Sequence, residues 1–223
     1  MTSPKQITIV GGHGQIARHL SRKLVARSHA VRGLVRSSDQ FDDLREDGAE
    51  PILCDIEAAD ESHLDAALTD SDVVVFAAGA GPDSGPDRKR TLDRDGAVKS
   101  VESAIRVNAE RFVIVSSMGA DDPPDGDETF SVYLRAKNEA DEAVRDASGR
   151  SKLAHTIVRP GKLTDGDSTG SVQVAEHADR AEIPRVDVAE VLAELIDSGR
   201  GIDATFEVVS GSVPIADAVR ALG

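Results

Sequence analysis

Ile7-Thr8-Ile9-Val10-Gly11-Gly12-His13-Gly14-Gln15-Ile16-Ala17-Arg18 is the stretch that decides the fold of this chain. An apolar, β-branched run, suited to a pleated strand, stops at a glycine cluster, and a helical pattern begins at once. Gly11 lets the strand turn sharply, and Gly14 has no Cβ to keep a ligand away from the backbone. Ala17 is small enough for the helix to pack closely on the strand. A helix start offers unpaired N–H groups and a partial positive charge. The order strand, glycines, helix is therefore a clamp for the pyrophosphate of a dinucleotide.

Working outward, strand-like and helix-like patterns alternate. Strands are expected at 7–10, 31–35, 51–53, 73–78, 111–115 and 154–158, the last stopped by Pro160-Gly161. Helices are expected at 15–26, 40–46, 61–68, 90–107 and 129–147, with Asn108 as a left-handed end. The alternation predicts an α/β fold, a Rossmann-type doubly wound parallel sheet forming a single domain over 1–223. The last quarter differs. Residues 164–185 are polar and irregular, a helix over 187–198 takes Asp187 as N-cap, and a strand at 205–209 precedes a short helix at 215–222. Residues 162–223 read as a small C-terminal cap on the substrate side.

Composition narrows the class. The 223 residues suit one domain of ordinary size. No charged start leads into an apolar run, and no apolar stretch approaches the roughly 20 residues that cross a bilayer. A cytoplasmic protein with no membrane partner is expected. The single cysteine, Cys54, cannot close an internal disulfide and reads as a buried strand residue. There are 40 acidic residues against 26 basic ones, a net charge of −14. Asp outnumbers Glu 26 to 14, and Arg outnumbers Lys 19 to 7. Such a surface suits molar salt, where the screening length falls to about 3 Å, and a halophilic source is expected. The charge, without a basic stripe or aromatic platform, argues against nucleic acid. The six histidines are scattered without ligand spacing, so no metal is expected.

Ligands of such sheets bind beyond the carboxyl ends of the strands. After the second strand stand Arg36, Ser37 and Ser38. An acidic residue there would bind a ribose 2′-hydroxyl, whereas an arginine receives a 2′-phosphate, so Arg36 and Ser37 predict NADP(H). Beyond the third strand, Asp55 can bond the adenine amino group, with Ile56 packing on the ring; capping of the next turn is the other use for Asp55. Beyond the fourth, Ala77, Ala78 and Gly79 let backbone lie along the cofactor. Ser116 and Ser117 end the fifth strand. Tyr133 and Lys137 stand four apart on the following helix and so share a face. An ammonium beside a phenol favours the phenolate, so Tyr133 can exchange a proton and Lys137 can also bond the nicotinamide ribose. A serine at the strand end can hold the substrate oxygen.

With these residues in view, the chain resembles the atypical short-chain dehydrogenase/reductases, in the NAD(P)-binding or epimerase-like group. Members of that group are similar to biliverdin-IXβ reductase and to NADPH-sensing regulators. The resemblance covers almost the whole chain. It rests on residues 11–17, Leu34-Val35-Arg36, Cys54-Asp55-Ile56, Asp93-Arg94-Asp95-Gly96-Ala97, residues 111–117, the Tyr133 and Lys137 pair, and residues 157–164. It implies that Pro160, Gly161 and Leu163 lie beside the nicotinamide. It also implies that a helix starting in 185–189 borders the substrate. Gln15 and Ile16 are expected to touch the cofactor through their backbone. Two departures stand out: Ala17 replaces the usual third glycine, and Ser117 lies 16 residues before Tyr133, farther than in most classical members. The active serine is thus open between Ser116 and Ser117.

The leading expectation is an NADP(H)-dependent oxidoreductase acting on a small carbonyl, quinone or flavin-like substrate. Tyr133 is its proton donor, Lys137 the activator and Ser117 the oxygen-positioning group. An NADPH/NADP-sensing binding protein without turnover would need the clamp but no proton donor. A sugar epimerase or dehydratase would need a larger C-terminal region than the roughly 60 residues that follow the sixth strand. The substrate pocket is expected from 79–86, the loop after Ser117 and 164–185. The partner is a small molecule, and the protein is expected to be a monomer or weak homo-oligomer.

Overall fold

The computed structural model describes residues 3–81 and 83–223, so Pro82, within the expected pocket segment 79–86, lies outside the described residues. Six parallel strands form its centre: β1 (Gln6–Val10), β2 (Ala30–Val35), β3 (Glu50–Leu53), β4 (Val73–Phe76), β5 (Arg111–Val115) and β6 (Ala154–Pro160). Their order is β3-β2-β1-β4-β5-β6, a Rossmann-type winding that reverses direction at β1. Ile7 of β1 lies opposite Val31 of β2 on one side and Val73 of β4 on the other. The crevice between the carboxyl ends of β1 and β4 is where a ligand enters such a sheet.

The connecting helices are α1 (Gln15–Ala26), α2 (Phe41–Glu46), α3 (Glu61–Leu68), α4 (Pro86–Arg88), α5 (Ala97–Arg106) and α6 (Thr129–Gly149). Both faces of the sheet are covered, so central strands are apolar throughout rather than alternating with polar residues. In β4, Val73 and Val75 enter one core and Val74 and Phe76 the other. Leu20 and Leu24 of α1 fill the first core; Leu64 and Leu68 of α3 and Val101 of α5 fill the second. Boundaries of α1 and α3 match the sequence pattern, and Asn108 ends its helix at φ 58°.

Three sequence expectations are corrected. The helix expected at 90–107 begins earlier, at Pro86, and is not uniform: Lys89–Gly96 is π-helical and only Ala97–Arg106 is regular α-helix. Lys89, Leu92, Asp93 and Gly96 all lie on the buried side of this π-helical turn. Such turns recur at functional sites.

The stretch 164–185 is not wholly irregular. It holds β8 (Ser171–Ala175) and β9 (Glu182–Pro184), while β7 (Lys162–Thr164) pairs with β9 in a small parallel sheet of its own. Next come α7 (Arg185–Ser198), β10 (Ala204–Ser210), β11 (Val213–Pro214) and α8 (Ile215–Arg220). β10 runs parallel to β6, and β8 lies antiparallel between β10 and β11. Residues 162–223 thus widen the main sheet, and α7 packs Leu192 and Leu195 into the core that α1 also fills.

Asp187 is not the cap of its helix. Pro184 stands in that place, and Asp187 lies inside the first turn. Its buried carboxylate accepts hydrogen bonds from the hydroxyl of Ser168, the N–H and hydroxyl of Thr169 and the N–H of Gly170. It therefore folds a loop onto the helix start, where the helix dipole favours negative charge.

One buried cation ties the two halves together. The Arg111 guanidinium in β5 donates to the hydroxyl of Thr156 and to the carbonyls of Leu195, Arg200 and Gly201. It satisfies the open carbonyl end of α7, and burial lowers its pKa to about 10. Among the described residues, no helix is long and apolar enough to cross a membrane.

Candidate functional site

A cleft of about 810 Å³ runs along the carboxyl edge of the sheet. Its floor at one end is the glycine turn. Gly11 has φ +82°, and a Cβ there would stand 2.6 Å from Ala78 Cα. Gly12, to which the sequence assigned no role, is as constrained: a Cβ would lie 2.7 Å from Gly33 Cα. The N–H of Gly14 closes the turn onto the Gly11 carbonyl at 2.9 Å. No side chain caps the start of α1, so its first N–H groups remain available to an anion. Gln15 and Ile16 line the cleft at this point. His13 lines it too, with Nε2 2.6 Å from Asp43 Oδ2, a bond that leads in holding the Asp43 carboxyl below its ordinary range.

Arg36 is exposed on the cleft wall and forms no ion pair among the described residues. Ser37 is not among the lining residues; its hydroxyl accepts the Asp39 N–H at 3.4 Å. Asp55 does two things at once. It lines the cleft, and its Oδ1 accepts the Glu57 N–H at 3.1 Å. Ile56, Ala77, Ala78 and Gly79 line the cleft beside it.

Tyr133 and Lys137 stand at the other end, on α6. Lys137 is buried, donates to the Val115 carbonyl at 3.0 Å, and lies 5.9 Å from the centre of the Tyr133 ring. Burial works against its charge. Asp93, Tyr133 and Asp141 outweigh it and hold the ammonium above the ordinary lysine pKa.

Neither serine turns its hydroxyl to the cleft. Ser116 lines it, but its Oγ is buried beside Asp141 without a well-formed hydrogen bond. Ser117 is not among the lining residues, and its Oγ donates to the Met118 carbonyl at 3.4 Å. Leu163 lines the cleft; Pro160 and Gly161 do not. Gly161 answers to packing instead, since a Cβ there would stand 2.2 Å from the Ala181 carbonyl oxygen.

Among the residues that reach the site without a role from sequence reasoning, Asp93 and Lys89 stand nearest the Tyr133 and Lys137 pair. Both are buried and line the cleft. Asp93 Oδ1 lies 3.4 Å from Lys137 Nζ, and Oδ2 accepts the Ala80 N–H at 3.2 Å. Its signal was the Asp93-Arg94-Asp95-Gly96-Ala97 motif. Lys89 stands in a run of charges that looks like a solvated surface.

The family model described as NAD(P)H-binding matches residues 11–199. The chain belongs to the NAD(P)H-binding family. A Bacillus subtilis protein named uncharacterized sugar epimerase YhfK is 33% identical, over 97% of this chain and 100% of that one. The solved structure of a putative NAD-dependent epimerase/dehydratase from Bacillus halodurans is 39% identical with TM-score 0.89, over 98% of this chain and 100% of that one. A Lactococcus lactis structure described as the oxidoreductase ylbE shares the fold at TM-score 0.83 and 22% identity, over 97% of this chain and 96% of that one. A nicotinamide dinucleotide is the cofactor class of this family. The residues present fit it: the turn at Gly11 and Gly12 has no room for a Cβ, and the helix start behind it is uncapped. Among the described residues, no group of three or more His, Cys, Asp or Glu side chains could hold a metal ion.

Proposed function

We propose that this protein is an NADP(H)-dependent oxidoreductase of the atypical short-chain dehydrogenase/reductase type. It would act on a small carbonyl, quinone or flavin-like compound. The observation that carries this reading is the Tyr133 and Lys137 pair at the end of the same cleft that holds the glycine turn. A protein that only binds the dinucleotide has no need of a phenol backed by a buried ammonium.

When bound, the reduced nicotinamide supplies a hydride. Tyr133 gives its phenolic proton to the substrate oxygen that gains negative charge, and the Lys137 ammonium favours the phenolate left behind. Asp93 keeps that ammonium charged. Ser117 remains the proposed second donor to the substrate oxygen, by rotation of its hydroxyl away from the Met118 carbonyl. Arg36, exposed and without an ion pair among the described residues, supports the choice of the 2′-phosphorylated cofactor. The skew towards Asp supports work in concentrated salt.

Tyr133→Phe tests the reading. NADPH oxidation should fall by about 10²–10⁴-fold with cofactor affinity unchanged. Undiminished turnover in the variant overturns the assignment. So does failure of the native protein to oxidise NADPH with every member of a carbonyl, quinone and flavin panel, a result that would favour a sensor.

A further inference from the structure

Lys89 has no part in the chemistry just described, yet it occupies the site. It is 5% exposed, lines the cleft, and places Nζ 5.3 Å from the centre of the Tyr133 ring. Its hydrogen-bond acceptor is the Gly81 carbonyl. No carboxylate lies within 4.0 Å of it among the described residues; Asp93, the acid that acts on it, is bonded to Lys137 and to the Ala80 N–H. An ammonium carries three N–H donors, and a buried charge left short of acceptors is costly. The arginines on the cleft wall do not share this condition: Arg36, without an ion pair among the described residues, is exposed to solvent, and the other two are paired. Arg88 is paired with Glu57 at 3.0 Å and Arg185 with Asp165 at 2.6 Å.

The second observation is Phe130. This large apolar ring is 57% exposed. It lines the same end of the cleft, with its centre 6.1 Å from that of Tyr133 and the planes tilted by 32°. Two rings beside each other, one of them bare, form a stacking surface for a flat molecule.

We propose that this end of the cleft is a subsite for a flat, conjugated substrate bearing a carboxylate: the Phe130 and Tyr133 rings take its plane and Lys89 takes its charge. The inference names the substrate class of the reductase and rests on that reading. Bound there, the carboxylate supplies the acceptor that the fold denies to Lys89, and it places the conjugated body against the phenol that donates the proton.

The test uses the full chain saturated with NADP⁺ and calorimetric titration with 2-naphthoate and with its neutral counterpart, 2-naphthamide. The native protein should bind naphthoate about tenfold tighter or more, the scale of a charge-assisted hydrogen bond. Lys89→Met should bring the two affinities together by weakening naphthoate alone, and Lys89→Arg should restore the preference. Phe130→Ala should weaken both ligands alike. Equal affinities in the native protein, undetectable naphthoate binding, or a preference that survives in Lys89→Met would each overturn the proposal. Two failures are told apart by design. The NADP⁺ titration, read first, judges the cofactor assignment; a missing NADPH oxidation would remove the reductase and with it the substrate role, while the naphthoate titrations judge the binding of the carboxylate by itself.

Discussion

Lys137 Nζ lies 3.4 Å from Asp93 Oδ1, and both side chains are buried. The pair makes Asp93 the keeper of the lysine's charge, since burial alone would drive the proton off. Because the folded pKa of Lys137 is raised, its stabilising share is present at all pH values below the ordinary lysine range and is lost only as pH rises beyond it. Asp93→Asn should cost about 3–5 kcal/mol, as breaking one side of a buried pair does. It should also shift the alkaline limb of the NADPH oxidation profile to lower pH. A destabilised variant with an unmoved profile would show that Asp93 serves folding alone.

Arg36 should decide between the two nicotinamide cofactors. Arg36→Ala is expected to weaken NADPH by about 10–100-fold through loss of charge-assisted bonds, with NADH affinity nearly constant. Fluorescence titration of both cofactors measures this, and an equal loss for both would contradict the role.

Gly12→Ala should be felt in stability as well as binding, because its new Cβ would stand 2.7 Å from Gly33 Cα. Forcing β1 and β2 apart at their ends should cost about 1–3 kcal/mol, or several degrees in Tm for a chain of this size. A variant that melts with the native protein would refute the close approach.

Asp187 gives an acid-side prediction. Burial raises its pKa, but the bonds from Ser168, Thr169 and Gly170 outweigh this and hold it below the ordinary aspartate value. Its contribution is therefore present above that value and lost as pH falls through the lowered one. Asp187→Asn should lose about 1–3 kcal/mol at neutral pH. In acid melts its Tm should approach that of the native protein as pH falls below the usual aspartate range; a constant gap would argue against a charge effect.

Salt should act on the whole surface. With a net charge of −14, Tm should rise between low and molar KCl as self-repulsion is screened. A flat or falling Tm would remove the proposal of work in concentrated salt.

What was legible in the chain follows from where local and tertiary forces agree. The glycine turn, α1 and α3 were readable because strand propensity, turn chemistry and helical spacing all point the same way there. The π-helical turn was not. Asp87-Arg88-Lys89-Arg90 has the look of a solvated face, and nothing local says that Lys89 is drawn inward beneath Tyr133. Asp187 looked like a cap because acids favour helix starts, but Pro184 already begins the helix, and the carboxylate is used by a loop distant in sequence. β8 was hidden for a related reason: Ser171-Val172-Gln173-Val174-Ala175 alternates as a strand should, but lies inside a polar run whose partner, β10, comes some thirty residues later. At Gly161 the motif was visible and its use was not, for the demand comes from the Ala181 carbonyl.

The Arg111 guanidinium sets a limit on how far this protein can be taken apart. A cut after β6 would strip away the Leu195, Arg200 and Gly201 carbonyls and strand a cation in the interior. The dinucleotide half is thus no free-standing cassette. Any replacement for the chain beyond β6 would have to bring carbonyl oxygens to the same spot or come with a change at Arg111 itself.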